Sequence, residues 1–314
     1  MKEHIYLLSN GIVYREQNTL VIAGTEKFVI PIKRIASLHV YGNISISSIT
    51  LKLLSKNNVP VHFFSKIGTY YGSFFPYKYK QSGMVLLAQS KAFFERREKI
   101  AKSMVEGLKN TILHFLKNHY EREIIEKIKS VDVSCDNVEK IRSDESKIWK
   151  HFYDFLRSKL KNLEFDSRSY RPPKDEGNAV ISFVNSLLYG AILNEIHNTE
   201  LSPAISYLHE PMERRISLVL DIADIFKPAI MGNVLLNADK LLNDTYFEKE
   251  KFGVYLSREG RKKITELFEN KMKTVVYSKK FKRKVSIRTV IRGECIRLRD
   301  ALLSEKEYTP FVPW

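Results

Sequence analysis

The chain has 314 residues, 44% of them hydrophobic and 11% aromatic, which is enough apolar material for one large domain or two ordinary ones and excludes a disordered chain. Its 52 Lys and Arg outnumber 36 Asp and Glu, for a formal charge of +16, so the expected partner is a polyanion, with nucleic acid the first candidate. Two cysteines, Cys135 and Cys295, exclude a disulfide framework and a four-thiolate zinc site. No apolar run approaches a membrane span and the N-terminus lacks a signal-peptide pattern; the expectation is a soluble, cytoplasmic protein.

Residues 1–75 read as β-rich, with short Val, Ile, Phe and Tyr runs between turn signals. Ile5–Leu8 is followed by Asn10-Gly11, a strong hairpin dipeptide. Ile12–Arg15, Thr19–Ala23, Phe28–Ile30 and Ser37–Val40 follow as strands, with turns near Gly24 and Gly42. One short helix interrupts them, capped by Ser47 or Ser48 and ended at Asn57-Asn58. Val59–Phe64 and Thr69–Phe75 close the region as a strand pair around Gly68. Residues 76–84 read as a polar linker. Beyond it helical periodicity dominates, with candidates at 86–118, 119–130, 137–160, 177–197, 214–226, 233–243 and 258–273. The expected fold class is α+β: a small β domain over 1–75, then an all-α domain over 85–314.

Residues 251–314 carry 17 Lys and Arg against 7 Asp and Glu. From Ser286 to Leu303 the apolar positions Ile287, Val290, Ile291 and Leu298 fit a helix stripe, with Arg288, Arg292 and Arg299 on a neighbouring face. A tail this basic points to phosphate contact, without distinguishing DNA from RNA.

Three acidic or imidazole positions stand out against that charge. In 141–155 the positions Ile141, Glu145, Ile148, Phe152 and Phe155 share a 4-3-4-3 spacing, which puts Glu145, and not its neighbour Asp144, in the core-facing register. A carboxylate there needs a partner or a metal, unless it sits exposed at the stripe's edge. Asp221 and Asp224 lie three apart in an otherwise apolar segment, on one helix face. Two like charges there call for a cation, supplied either by an ion pair with the basic tail or by a metal. His209 lies just upstream, and a neutral imidazole can complete an oxygen-rich metal shell. Together these residues are the ingredients of metal-assisted phosphodiester chemistry.

Ser169-Tyr-Arg171-Pro172-Pro173-Lys174-Asp175, running through Asn178-Ala179 into a long helix, resembles a signature of the CRISPR-associated integrase family, the catalytic subunit ("Cas-one") of the spacer-acquisition complex. Leu201-Ser-Pro203 to Leu208-His209, then Ser217 to Asp221, Asp224, Phe226 and Lys227-Pro228, resembles a second. Glu145 falls where the family's metal-binding Glu stands, and the order of β domain, linker and helical domain agrees over essentially the whole chain.

The resemblance implies a metal-dependent DNA endonuclease and integrase that joins short DNA fragments through their 3′-hydroxyls to a CRISPR repeat. It implies Glu145, His209 and Asp224 as catalytic metal ligands for Mg2+ or Mn2+, with Asp221 supporting. It further implies a homodimer joined through the β domains and a small partner protein, "Cas-two". Candidate DNA contacts are Arg171, Lys174, Lys282, Arg283, Arg288 and Arg292. The alternatives are a general metal-dependent nuclease acting on branched or single-stranded DNA in repair, and a non-catalytic nucleic-acid scaffold.

Overall fold

A computed structural model describes residues 2–24, 26–76, 82–134, 136–211, 216–278 and 281–311. Most of the expected linker, together with Cys135, Lys279 and Lys280, lies outside the described residues. The N-terminal part contains two four-stranded sheets. One has β1 (Glu3–Leu7), β5 (Ile35–Val40), β7 (Val61–Phe64) and β8 (Tyr70–Phe74) in that order, parallel through β7 and antiparallel at β8. The other runs β4 (Lys27–Pro31), β3 (Thr19–Ala23), β2 (Gly11–Glu16), β6 (Ile44–Ile46). Helix α1 (Ser48–Lys56) starts at Ser47, whose side chain accepts the Thr50 N–H, and ends at Asn57. The β7–β8 pair around Gly68 is as the sequence predicts.

Asn10-Gly11 makes no hairpin. β1 pairs in parallel with β5 in one sheet, while β2 belongs to the other. Gly11 is required for another reason: a Cβ there would lie 2.3 Å from the Ala23 carbonyl oxygen. Asn10 uses its side-chain oxygen to accept the Asn43 N–H and tie the crossing of the two sheets.

The strand period of two sorts residues between two cores. Leu7, Leu38, Val40 and Val61 point into the β domain's own core with Val13, Leu20 and Leu54. The alternate residues Tyr6, His39, Tyr41, His62 and Phe64 point to the helical part, where Tyr41 and Phe64 join its core.

That part contains α2 (Gly83–Lys117), α3 (Arg122–Lys129), α4 (Val138–Lys159), α5 (Glu176–Asn198), α6 (Ser217–Lys227), α7 (Asn233–Leu241), α8 (Arg258–Lys273) and α9 (Ile287–Leu303). A π turn, Pro228–Gly232, joins α6 to α7. α5 is the central helix, contacting α6, α8 and α9. By length and composition α5 could cross a membrane, contrary to the sequence expectation, but 89% of its apolar window is buried inside the protein. At Gly190 it presses against the sheet, where a Cβ would lie 2.7 Å from His39 Nδ1. The helical part also carries two antiparallel hairpins absent from the sequence reading, β9 (Phe247–Glu250) with β10 (Gly253–Leu256) and β11 (Val275–Ser278) with β12 (Arg283–Ser286). Their strands are four residues long and mostly polar on the outer face, too short to show a period.

Candidate active site

Helix α4 sets the first side chain. Asn137 caps it by accepting the Lys140 N–H. Ile141, Ile148, Phe152 and Phe155 are fully buried along its inner stripe. Glu145 is half-buried at the stripe's border, opening onto a cleft of about 1220 Å3. Its neighbour Asp144 is buried elsewhere and already satisfied, by Lys147 at 2.8 Å and the Ser134 N–H at 3.2 Å. Desolvation raises the Glu145 pKa, the Asp224 charge raises it further, and His209, Lys227 and a Trp149 hydrogen bond pull the other way; the result is about 7.

Helix α6 sets the second. Leu218, Val219, Ile222, Ala223 and Ile225 are fully buried, so the helix cannot turn, and Asp224 faces the cleft. Lys227, one turn on, places Nζ 2.6 Å from Asp224 Oδ1. Asp221 does something different from the cation pairing expected of it. Fully buried, it accepts the backbone N–H groups of Tyr207 (2.6 Å), Leu208 (3.1 Å) and His209 (3.0 Å), and its Oδ1 lies 2.8 Å from His209 Nδ1. Four hydrogen bonds to one carboxylate explain how an acid persists in an apolar helix.

That carboxylate also fixes the third side chain. With Nδ1 donating to Asp221, Nε2 is the lone-pair nitrogen of His209, which lines the same cleft. Burial lowers the His209 pKa, but the Asp221 hydrogen bond and the Asp224 and Asp221 charges outweigh it, and the net shift is upward. The surrounding loop is pinned from two other helices. Arg97 Nε donates to Tyr207 O at 2.9 Å, Arg142 Nε donates to Leu208 O at 2.8 Å, and both guanidinium groups also bind Glu210.

Glu145, His209 and Asp224 therefore come from three separate segments to one cleft. Two carboxylates and an imidazole suit a hard divalent ion chemically. Among the described residues, however, no three His, Cys, Asp or Glu side chains stand close enough to enclose an ion as they are.

The walls of the cleft carry cationic and aromatic side chains: Lys150, Arg157, Arg168 and Arg171, with Trp149, Tyr153, Tyr170 and Tyr189. Of the predicted contacts, Arg171 lines the cleft and Lys174 an adjoining hollow. The neighbouring acids are engaged elsewhere: Asp175 caps α5 and binds Asn178, and Glu176 pairs with Lys249 at 2.7 Å. Lys282 and Arg283 are exposed on the β11–β12 hairpin, away from the cleft lining. Arg288 is directed inward, pairing with Glu269 at 2.5 Å with 15% of its side chain exposed. Arg292 pairs with Glu195 at 2.6 Å. Arg288 is thus largely enclosed by its ion pair, while Arg292, with 53% of its side chain exposed, stays open to solvent beside Glu195.

Sequence reasoning missed Arg168, Lys227 and the loop clamp built on Asn178. Fully buried, Asn178 accepts from the Ser169 N–H and from Arg168, and donates to Ser167 O and Asp175, holding the loop that forms one cleft wall. The signal was present: an asparagine three residues after a capping aspartate in the quoted signature.

The family model described as CRISPR associated protein Cas1 matches residues 5–270. A curated CRISPR-associated endonuclease Cas1 of Thermodesulfovibrio yellowstonii is 36% identical, with 98% of each chain covered. One from Clostridium perfringens is 34% identical, with 100% of each covered. A solved Cas1 protein from Thermotoga maritima superposes with a TM-score of 0.87 at 31% identity, covering 98% of this chain and 99% of that one. A casposase bound to its integration product shares the fold, with a TM-score of 0.83 at 21% identity over 99% and 93% of the two chains. With the family match spanning most of its length and relatives above 30% identity over nearly all of both sequences, this chain belongs to the CRISPR-associated Cas1 family of endonucleases.

Proposed function

We propose that this protein is the DNA integrase of spacer acquisition, with Glu145, His209 and Asp224 as its catalytic divalent-metal ligands and Asp221 as the support of His209. The observation that carries the reading is the convergence of those three side chains on one cation-walled cleft. In the reaction a DNA 3′-oxygen attacks a backbone phosphorus. One P–O bond forms as the opposite P–O3′ bond breaks, and the departing 3′-oxygen takes up a proton. Bound Mg2+ or Mn2+ supplies Lewis-acid neutralisation of charge on that phosphate.

The protein's own groups do the rest. Asp221 fixes the tautomer and direction of His209. Arg97 and Arg142 hold the His209 loop still. Arg168 and Arg171, with Lys150 and Arg157, steer the strands by their phosphates and carry little sequence information. Lys282 and Arg283 extend a positive surface on the hairpin for flanking DNA or a partner.

Ile12, Phe28 and Val29 are exposed on the β2–β4 sheet, on and near its edge strand β4, and support a homodimer through the β domain. Structural neighbours described as a Cas6-RT-Cas1–Cas2 complex and a Cas1–DNA complex make the small Cas2 protein and DNA the proposed partners.

The test is joining of a labelled oligonucleotide bearing a 3′-OH to a supercoiled plasmid that carries a CRISPR repeat. Wild type with Mg2+ or Mn2+ is expected to give covalent product, and Asp224→Ala none, with DNA affinity within a few-fold. Equal joining by Asp224→Ala removes the assignment, and cleavage without joining by the wild type reduces the protein to a nuclease.

A further inference from the structure

Lys227 has no role in the ligand set, yet it is held closely on several sides in the cleft. Its side chain is 12% exposed and its ammonium lies 2.6 Å from Asp224 Oδ1. The same nitrogen stands 5.3 Å from the centre of the Tyr189 ring and 5.8 Å from that of Trp149, inside an aromatic collar. Asp224 and Glu145 act on each other electrostatically, and Lys227 acts on both. A compact, fixed positive charge therefore sits against one carboxylate of the ligand set. Among the described residues the donor set has the right chemistry but does not close on an ion, and this ammonium occupies one of its carboxylates.

Resting on the reading of the site as a divalent-metal centre, we propose that the Lys227 ammonium stands in for the metal in the DNA-free protein and transfers to a DNA phosphate when substrate enters, releasing Asp224 for the ion. Two carboxylates, one buried and one half-buried, repel each other without a cation and are costly to desolvate. The ammonium removes that cost when the ion is absent, so it competes with the ion for Asp224. A phosphate in the cleft offers the ammonium another anion. Metal and DNA then each raise the affinity of the protein for the other, and by linkage the two effects are equal. The consequence is an enzyme whose metal is assembled with its substrate, which limits stray hydrolysis.

The experiment uses the full chain and measures Mn2+ affinity by electron paramagnetic resonance, with and without a short single-stranded DNA oligonucleotide, alongside the melting-temperature shift that Mn2+ produces. In wild type, Mn2+ is expected to bind weakly alone and about tenfold more tightly with DNA, within the range of ordinary coupling. Lys227→Met removes the competitor. Its affinity for Mn2+ alone should rise by about tenfold, its melting temperature should respond more strongly to Mn2+, and the gain from DNA should shrink correspondingly. Lys227→Arg keeps a cation beside Asp224 and should retain weak Mn2+ binding without DNA, which also serves if Lys227→Met fails to fold. Unchanged Mn2+ affinity in Lys227→Met, or a tightened one in Lys227→Arg, overturns the proposal. The underlying reading fails separately, if Glu145→Ala and Asp224→Ala bind Mn2+ as wild type does.

Discussion

Asp221 is the residue on which the local order of the cleft depends. It satisfies three successive backbone N–H groups and the His209 ring with one buried carboxylate. Asp221→Ala leaves those donors unpaired and should destabilise the protein by about 3 kcal/mol, read from urea unfolding. The milder Asp221→Asn keeps the volume but removes the charge. Two of the upward influences on the His209 pKa come from Asp221, so in this variant the His209 pKa should fall, as followed by NMR titration; an unshifted titration would refute the role given to the pair.

Glu145 gives a pH signature of its own. Its folded pKa of about 7 lies above the ordinary 4.5, so between those values the metal-free native state keeps a proton that the unfolded chain has released. Stability from this group is complete below the lower value and is lost as pH rises through the upper one. Glu145→Gln cannot lose that proton. In chelator, its melting temperature should match wild type in acid and exceed it above about pH 7. A gap that does not change with pH would show that Glu145 is not desolvated beside Asp224.

At the scale of elements, the C-terminal strap braces α6 from behind. Tyr308 donates its hydroxyl to Glu294, a fully buried carboxylate on α9, and the Phe311 N–H donates to the same group at 3.0 Å. Phe311 then stacks 5.7 Å from Phe226, two residues beyond Asp224. Tyr308→Phe deprives one oxygen of a buried acid of its hydroxyl donor and should cost about 1–3 kcal/mol. Glu294→Gln in the same chain should recover part of this, because the group that has lost its hydroxyl donor is then neutral; a double variant no more stable than Tyr308→Phe would contradict the assignment.

The strap also shows where sequence legibility ended. The bounds of α8 and the cap of α1 follow from local signals, a serine before an amphipathic run. The place of Glu145 along the inner stripe of its helix was legible because that helix carries the register, though the structure sets it at the stripe's border and not in the core. Arg288 was not: its burial depends on Glu269, and Glu269 is also reached by Tyr6 from 263 residues away. Asn10-Gly11 failed likewise, because what it crosses is Ala23 and Asn43 and not its flanking strands. Local propensity reports on neighbours in sequence, and these residues are decided by neighbours in space.

Across the whole molecule, the seam between β domain and helices is built from histidines. The period of two puts His4, His39 and His62 on one face of the sheet, facing α5 and its His197. His4 Nδ1 and His39 Nε2 share the Ser37 hydroxyl at 2.7 Å each, His62 Nδ1 meets Ser73 at 2.7 Å, and the His62 and His197 rings lie parallel at 6.4 Å. Burial pushes His62 and His197 down to about 3 and His4 to about 2, so all are neutral in the folded protein at neutral pH. The unfolded chain protonates them near the ordinary 6.5. Below that value the unfolded state binds more protons than the native one, so stability falls with acidification until the depressed pKa values are reached.

Each such histidine contributes about 1.4 kcal/mol of loss per pH unit. Glu145 tilts the metal-free protein the other way, but it cancels when wild type is compared with a variant at the seam. His62→Gln keeps a polar side chain at Ser73 and removes one titrating ring. Its unfolding free energy, measured in denaturant from neutral pH down to about pH 5, should fall less steeply than that of wild type by about 1.4 kcal/mol per unit. Parallel slopes would mean that His62 is not held neutral at the seam. A shallower slope would show that His62 is held neutral at the seam, beside the β7–β8 loop that puts Gly68 and Thr69 in the wall of the cleft.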